Sequence, residues 1–330
     1  MKKIIFFLLL FNFCSFTYSQ IIKGTILDIS NDSRISFATI YLNGTYVGTY
    51  SDQNGYFELD ITKYSSMPLT ISALGYYSIT LPDFSKDKPL VAYLTPKVFE
   101  LNEVVVKSKS LSRERKEKLI LFRNEFLGPT ENGQNCEIIN ENDISFNYDS
   151  DKDTLKAFAS KPLLINNRRL GYKITYYLDK FEYYKKTKSF FYQGTIIFNE
   201  DSICDKSQKQ SIDRRRRYAY LGSRMHFFRE LWTNNLSKSG FKILNSSYED
   251  LDYKNLVIQK DNLRKFLSYN EKIGIGYYSR TPSSYIVFHK NEVFFDKNGY
   301  FDYSGVAWEG QMAKLRIGDL LPYEYNNNLK

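Results

Sequence analysis

Across residues 21–106 apolar and polar side chains alternate in short runs broken by turn residues, with no helical period, the pattern of an all-β sandwich. Runs at 22–26, 37–42, 46–50, 56–61, 69–73, 75–81 and 91–94 predict about seven strands, enough to close two sheets on one core. Asn43-Gly44 predicts a hairpin turn, because both residues accept positive φ. In Asp52-Gln53-Asn54-Gly55 the chain turns again, with Asp52 capping the turn and Gly55 supplying positive φ. A calcium loop would need more oxygen ligands and a closing glutamate, and Phe57 and Leu59 stand there instead.

After residue 107 the pattern changes. A helix is predicted over 112–127, with Leu119, Phe122 and Phe126 on one face, Glu114 and Lys118 four apart on the other, and Gly128-Pro129 as its stop. Strands rich in Tyr, Phe and Ile follow at 144–148, 155–159, 170–184, 190–199, 254–260, 273–279 and 284–295, with clean alternation over 172–178. Between them Tyr218, Leu221, Met225, Phe228, Trp232 and Leu236 recur at spacings of three and four, predicting one helix over about 212–240 that ends at Gly240. Arg214, Arg215, Arg216 and Arg217 then fall at its N-terminus, where cations oppose the macrodipole. They suit either a solvated, paired turn or a seat for a phosphate, acidic glycan or acidic protein. The fold class expected is mainly β: a seven-stranded Ig-like sandwich, then an α+β domain with an antiparallel sheet and two helices.

The first residues change the setting. Lys2 and Lys3, an apolar run from Ile4 to Phe13 and the small or polar Ser15, Thr17 and Ser19 read as a secretory signal peptide over 1–19, cleaved before Gln20. Cys14 would leave with it; as a lipid-anchored cysteine it would follow the poorly suited Phe13. The expected layout is 20–106 sandwich, 107–112 linker and 113–330 α+β domain. Removing the signal lowers the formal charge of +9 by two, a mild excess that with export argues against nucleic acid and allows at most peripheral membrane contact. Cys136 and Cys204 remain. They either pair in an oxidising compartment or stay buried as free thiols.

Gly24-x-Ile26, Ile35-x-Phe37-Ala38-x-Ile40, Gly48-Thr49-x-x-Asp52-x-Asn54-Gly55-x-Phe57-x-Leu59, Leu69-x-Ile71-x-x-x-Gly75-Tyr76 and Leu101-x-Glu103-Val104-Val105-Val106 occur in that order. The series resembles the carboxypeptidase-regulatory-like family. The resemblance implies a transthyretin-like sandwich that recognises or docks and does not itself hydrolyse. Leu101 to Val106 also resembles the stretch that follows such a sandwich in TonB-dependent outer-membrane receptors, which by analogy implies an accessory of an uptake system. Farther on, Phe126-Leu127-Gly128, Lys161-Pro162-Leu163-x-Ile165-x-Asn167, Leu170-Gly171-Tyr172, Gly222-Ser223-x-x-His226-Phe227-x-Arg229, Trp308-x-Gly310 and Arg316-x-x-Asp319-Leu320-Leu321-Pro322 resemble the extension of envelope proteins that begin with this sandwich.

Chemistry is sparse. The chain has two histidines, His226 and His289, with no His-x-x-x-His, Cys-x-x-Cys, Gly-x-Ser-x-Gly, phosphate loop or dinucleotide fingerprint. Cys136 with either histidine, or a carboxylate pair, would need a proximity that spacing does not encode. The expectation is an exported protein, periplasmic or at the outer membrane, that is not an enzyme, uses no cofactor or metal, and recognises an envelope protein or glycan. A TonB-dependent receptor is the alternative partner, and an unrecognised hydrolase the alternative activity.

Overall fold

A computed structural model describes residues 20–84, 88–97, 113–201 and 206–327. The signal peptide, Leu101 to Val106, the 107–112 linker and Cys204 lie outside the described residues.

Seven strands build the N-terminal unit: β1 (Ile21–Asp28), β2 (Thr39–Leu42), β3 (Gly48–Tyr50), β4 (Tyr56–Asp60), β5 (Leu69–Ser72), β6 (Ile79–Leu81) and β7 (Leu90–Leu94). They form two sheets, in the orders β4-β1-β7 and β3-β2-β5-β6. β7 runs parallel to β1, and the other pairs are antiparallel. Alternation puts Ile22, Ile26, Phe57 and Leu59 of one sheet against Ile40, Leu42, Leu69 and Ile71 of the other. β2 and β5 are buried at every position. Thr39, Tyr41, Thr70 and Ser72 therefore lie under a second layer.

That layer is the next sheet. α1 (Arg113–Leu127) and α2 (Glu131–Gln134) lead into β8 (Cys136–Ile138), β9 (Ile144–Asp149), β10 (Thr154–Ala159), β11 (Leu163–Asn167), β12 (Tyr172–Tyr184) and β13 (Ser189–Glu200). The order is β8-β11-β12-β10-β9, with β13 on the opposite edge of the long β12. One face packs on α1, where Phe122 meets Phe181 edge-on at 4.8 Å and Phe126 meets Tyr176 at 4.9 Å. Glu114 and Lys118 pair at 2.5 Å on the helix exterior, and Gly128 ends the helix at φ +108°.

The helix predicted over 212–240 is two helices, α3 (Lys206–Tyr220) and α4 (Arg224–Trp232). Gly222 breaks it at φ +75°, and the Ser223 hydroxyl accepts from the His226 amide at 3.2 Å as the N-cap of α4. Gly240 lies beyond the helix, in the turn that enters β14. The apolar stripe fails at Tyr218, which is 71% exposed, while Phe228 is fully buried. α3 also begins six residues early, because Lys206 to Ser211 carry no apolar residue to mark a period.

The remaining chain supplies β14 (Phe241–Leu244), α5 (Tyr253–Leu256), β15 (Val257–Gln259), β16 (Lys265–Leu267), β17 (Ile273–Tyr277), β18 (Ser284–Phe288), β19 (Val293–Phe295), β20 (Val306–Gly310) and α6 (Gln311–Lys314). They make the sheets β14-β17-β18-β20 and β15-β16-β19, around a core entered by Phe227, Phe228 and Leu231 of α4. The run predicted as one strand over 284–295 is two strands in different sheets. Among the described residues no helix is long and apolar enough to cross a membrane.

Side chains and backbone fasten the units together. The β2–β3 hairpin binds the outer edge of β13: Gly44 donates to the Ile196 carbonyl at 2.9 Å, the Ile196 amide to Asn43 Oδ1 at 2.8 Å, and the Phe198 amide to the Thr45 carbonyl at 3.3 Å. Tyr300 and Tyr323 complete the sandwich core from the far end of the chain. Arg229 fixes that end by donating to the carbonyls of Asn298, Tyr325 and Tyr323 at 2.8, 2.7 and 3.0 Å. Asp319 accepts from Thr130 and Asn132, and Asn167 donates to the Gly318 carbonyl. The motif residues Asn167, Arg229 and Asp319 are thus fasteners between segments distant in sequence.

Candidate functional site: the seam between sandwich and middle sheet

β12 presents Tyr172, Ile174, Tyr176 and Leu178 to the α1 core, so Thr175, Tyr177 and Asp179 fall on the opposite face, toward the sandwich. The register slips between Leu178 and Lys180, the mark of a bulge, and Phe181 returns to the core. On its other edge β12 pairs with β11 through residue 176 and with β10 from residue 182, leaving 177–181 without a ladder partner there.

A cleft of about 150 Å³ opens along this seam. One wall comes from the sandwich: Phe37, Thr39, Ser72, Ser78 and Lys97 with the 73–76 turn. The other comes from the middle sheet, through Ala159 to Pro162 and Tyr177 with Leu178. Beneath it runs a layer of hydroxyls. Thr39 and Tyr177 are 2.9 Å apart, Tyr41 contacts Thr195 and lies 3.1 Å from Ser72, and Ser72 donates to Ser78 at 2.8 Å. Burial raises the pKa of the Tyr41 phenol, which stays protonated.

Ser78 in turn hydrogen-bonds Asp179. Burial pushes this carboxyl above the usual aspartate range, while nearby Lys97 and the Ser78 bond act the other way. Asp179 Oδ1 is buried and has no hydrogen-bond partner within the described chain. A buried acceptor left without a donor costs about 1–3 kcal/mol.

Two apolar side chains stand at the rim. Phe37 is 68% exposed and sits at φ +57°, a left-handed conformation that is strained for a bulky residue. Leu74 is 71% exposed, beside Gly75 at φ +84°. Lys161 at the far wall lies 3.7 Å from Asp143. Lys97 and Lys161 are the charged residues on its walls.

The residues singled out in the sequence lie elsewhere. Arg214 to Arg217 occupy the last two turns of α3, not a helix start, so the macrodipole there favours cations. Arg215 donates to the Arg169 carbonyl at 2.6 Å. Arg216 donates to the Leu170 carbonyl at 2.8 Å, pairs with Glu200 at 3.1 Å and lies over the Tyr172 ring at 4.1 Å. Arg214 and Arg217 are exposed. Asp52 Oδ1 accepts from the Asn54 and Tyr56 amides at 2.8 and 2.9 Å, and Gly55 sits at φ +70°. Cys136 is a free thiol, pushed up to about 12 by burial, and it donates to the Asn132 carbonyl. His226 is buried among Tyr220, Phe241 and Tyr277. Its Nδ1 accepts from the Gly222 amide, and desolvation lowers its pKa to about 4.

Asp179 was missed by sequence reasoning. Its signal was present: an acidic residue following Thr175 and Tyr177 on the same face of an otherwise apolar strand.

Residues 22–106 match the family model of the CarboxypepD_reg-like domain. The N-terminal sandwich is thus a carboxypeptidase-regulatory-like domain, and the cleft forms where it meets the rest of the chain. No curated protein matches the chain. Among solved structures, the crystal structure of a 9R-lipoxygenase from Cyanothece PCC8801 aligns at 11% identity over 66% of this chain and 49% of its own, with a TM-score of 0.19. This chain spans about half the length of that lipoxygenase, and at so low a score the likeness carries no argument.

Proposed function

We propose that this protein is an exported, non-catalytic envelope protein that recognises a protein or glycan, and that the seam cleft is its ligand seat. The observation that carries it is a cleft lined by the Thr39, Ser72, Ser78 and Tyr177 hydroxyls and rimmed by exposed Phe37 and Leu74. A regulatory-like domain in this role agrees with the family match. It also agrees with a buried His226 whose lowered pKa and structural hydrogen bond unsuit it as a base near neutral pH. Export rests on the leader-like residues 1–19. The alternative, an accessory of TonB-dependent uptake, rests on Leu101 to Val106, and no feature of the described fold adds to it.

A photocrosslinking residue at Leu74 tests the reading in cells. Expected is an adduct to one envelope component in a fractionated envelope, lost when the same group is moved to exposed Tyr218 on the far helix. Turnover of a glycan or peptide panel by the purified protein, with no adduct, would overturn it.

A further inference from the structure

We propose that the seam cleft seats an oxyanion, a carboxylate or phosphate either free or carried on a single sugar ring, between the Lys97 ammonium of one wall and the Lys161 ammonium of the other. This deepens the recognition reading and rests on it.

Placement comes first. Lys97 belongs to the sandwich wall and Lys161 to the wall of the middle sheet, and among the described residues no carboxylate side chain lines the space between them. Asp179 is on neither wall; it is hydrogen-bonded to Ser78, which is. Among the described residues Lys97 has no carboxylate within ion-pair distance, and its ammonium lies 5.7 Å from the centre of the Tyr77 ring. Lys161 stands 3.7 Å from Asp143, too far for a hydrogen bond. Each ammonium carries three N–H donors, and neither makes a hydrogen bond to a described residue.

The balance of donors comes second. Ser72 donates to Ser78 at 2.8 Å, and Ser78 bonds Asp179 in turn, so those two hydroxyl protons are engaged. Of the Thr39 and Tyr177 hydroxyls, 2.9 Å apart, one donates to the other, which keeps its own O–H to offer the cleft. Burial raises the Tyr177 pKa, so that phenol stays protonated. The walls therefore present ammonium and hydroxyl donors with no carboxylate acceptor among them. An ionised carboxylate or phosphate oxygen is the matching partner, because it accepts from such donors in short, charge-assisted hydrogen bonds.

Size comes third. At about 150 Å³ the cleft is smaller than the roughly 300 Å³ at which sites for drug-sized ligands begin, so it admits a free ion or one ring. A peptide in strand conformation is poorly served. The unpaired stretch of β12 is only 177–181, closed at one end by β11 and at the other by β10, so no continuous edge is open for strand addition. An anion held by both lysines also ties the sandwich to the middle sheet, and binding then stabilises the folded chain.

The test uses the full mature chain, titrated by calorimetry with inorganic phosphate, acetate, glucuronate and glucose 6-phosphate. Glucose and glucuronamide serve as the uncharged counterparts. Expected is binding of at least one anion and of neither counterpart, with a melting temperature that rises on saturation and an affinity that falls as salt is added. Lys97→Gln and Lys161→Gln should each weaken binding by about fivefold or more, whereas Lys186→Gln, in the exposed turn between β12 and β13, leaves it unchanged. Both cleft variants are expected to melt with the parent when no anion is present, which separates lost binding from lost fold. Asp179→Asn should keep or tighten binding, since it removes a negative charge from beside the site. A tighter fit for glucuronate or glucose 6-phosphate identifies a glycan as the source of the anion, and a tighter fit for phosphate or acetate identifies the free ion. Lack of any anion binding overturns the proposal, as does glucuronamide binding as well as glucuronate, or anion binding that survives replacement of both lysines. Weaker binding in Asp179→Asn also overturns it, because the ligand would then be a donor. If the Leu74 crosslink captures an envelope component while no anion binds, the oxyanion proposal fails and the recognition reading stands.

Discussion

At the level of single residues, side chains of the same type differ in what they hold together. Arg216 lies over Tyr172 and holds the 170–171 carbonyls, whereas Arg214, two residues earlier, is exposed. Arg216→Gln is expected to lower unfolding free energy by about 1.5–3 kcal/mol, the range for hydrogen bonds to charged groups. Arg214→Gln should change it by less than about 0.5 kcal/mol, as for an ordinary surface site. Urea denaturation of both variants checks this. His226 adds a pH dependence. Its folded pKa of about 4 lies below the ordinary histidine value, so the unfolded chain binds the proton more readily. Stability is unaffected above the unfolded pKa, then declines as pH falls from about 6.5 toward the folded value. Glu230, 3.8 Å from His226 Nε2, moderates the shift, and Arg229 reinforces it. The difference in melting temperature between the protein and His226→Gln, followed from pH 7 to pH 4, should shrink or reverse with acidification. A constant difference would place the effect in packing alone.

Elements here are defined by what they close. The edge of β13 would be open to a foreign strand, and the Asn43-Gly44-Thr45 hairpin covers it with three hydrogen bonds. Gly44 can make that approach because it sits at φ +81°, and a Cβ there would fall 2.7 Å from the Tyr323 ring. Gly44→Ala is expected to destabilise by about 1–2 kcal/mol from the left-handed backbone alone. It should also raise hydrogen exchange at the Ile196 and Phe198 amides, readable by mass spectrometry. The hairpin itself was legible in the sequence, since Asn-Gly dictates the turn; that it clips a strand some 150 residues away was not. The α3–α4 break shows the converse. Gly222-Ser223 is a stop and a cap in two residues, yet an apolar stripe continuing through Leu221 and Met225 concealed it.

On the scale of the whole molecule, the sandwich is one layer of a larger stack. β2 and β5 bury both faces, Tyr300 and Tyr323 finish the core, and the hydroxyls of Thr39 and Tyr41 find partners on Tyr177 and Thr195. Cut out at 20–106, the unit would expose that layer and lose both tyrosines. The fragment is expected to show no cooperative thermal transition, or one at least ten degrees below that of the full chain, by circular dichroism. A fragment as stable as the parent would show that the seam contributes nothing to the sandwich.

Alternation and turn chemistry, being local, determined the seven strands of the sandwich, the first helix with its stop, and most strands of the middle sheet from sequence alone. Short strands such as β8, β14 and β16 were not legible, because three or four residues carry too little period to register. Only the tertiary structure decided which faces are buried twice, where the arginine run falls on its helix, and that Asp179 stands beside a cleft. Those properties depend on which distant segment packs on a given face, and no residue's neighbours in sequence specify its neighbours in space.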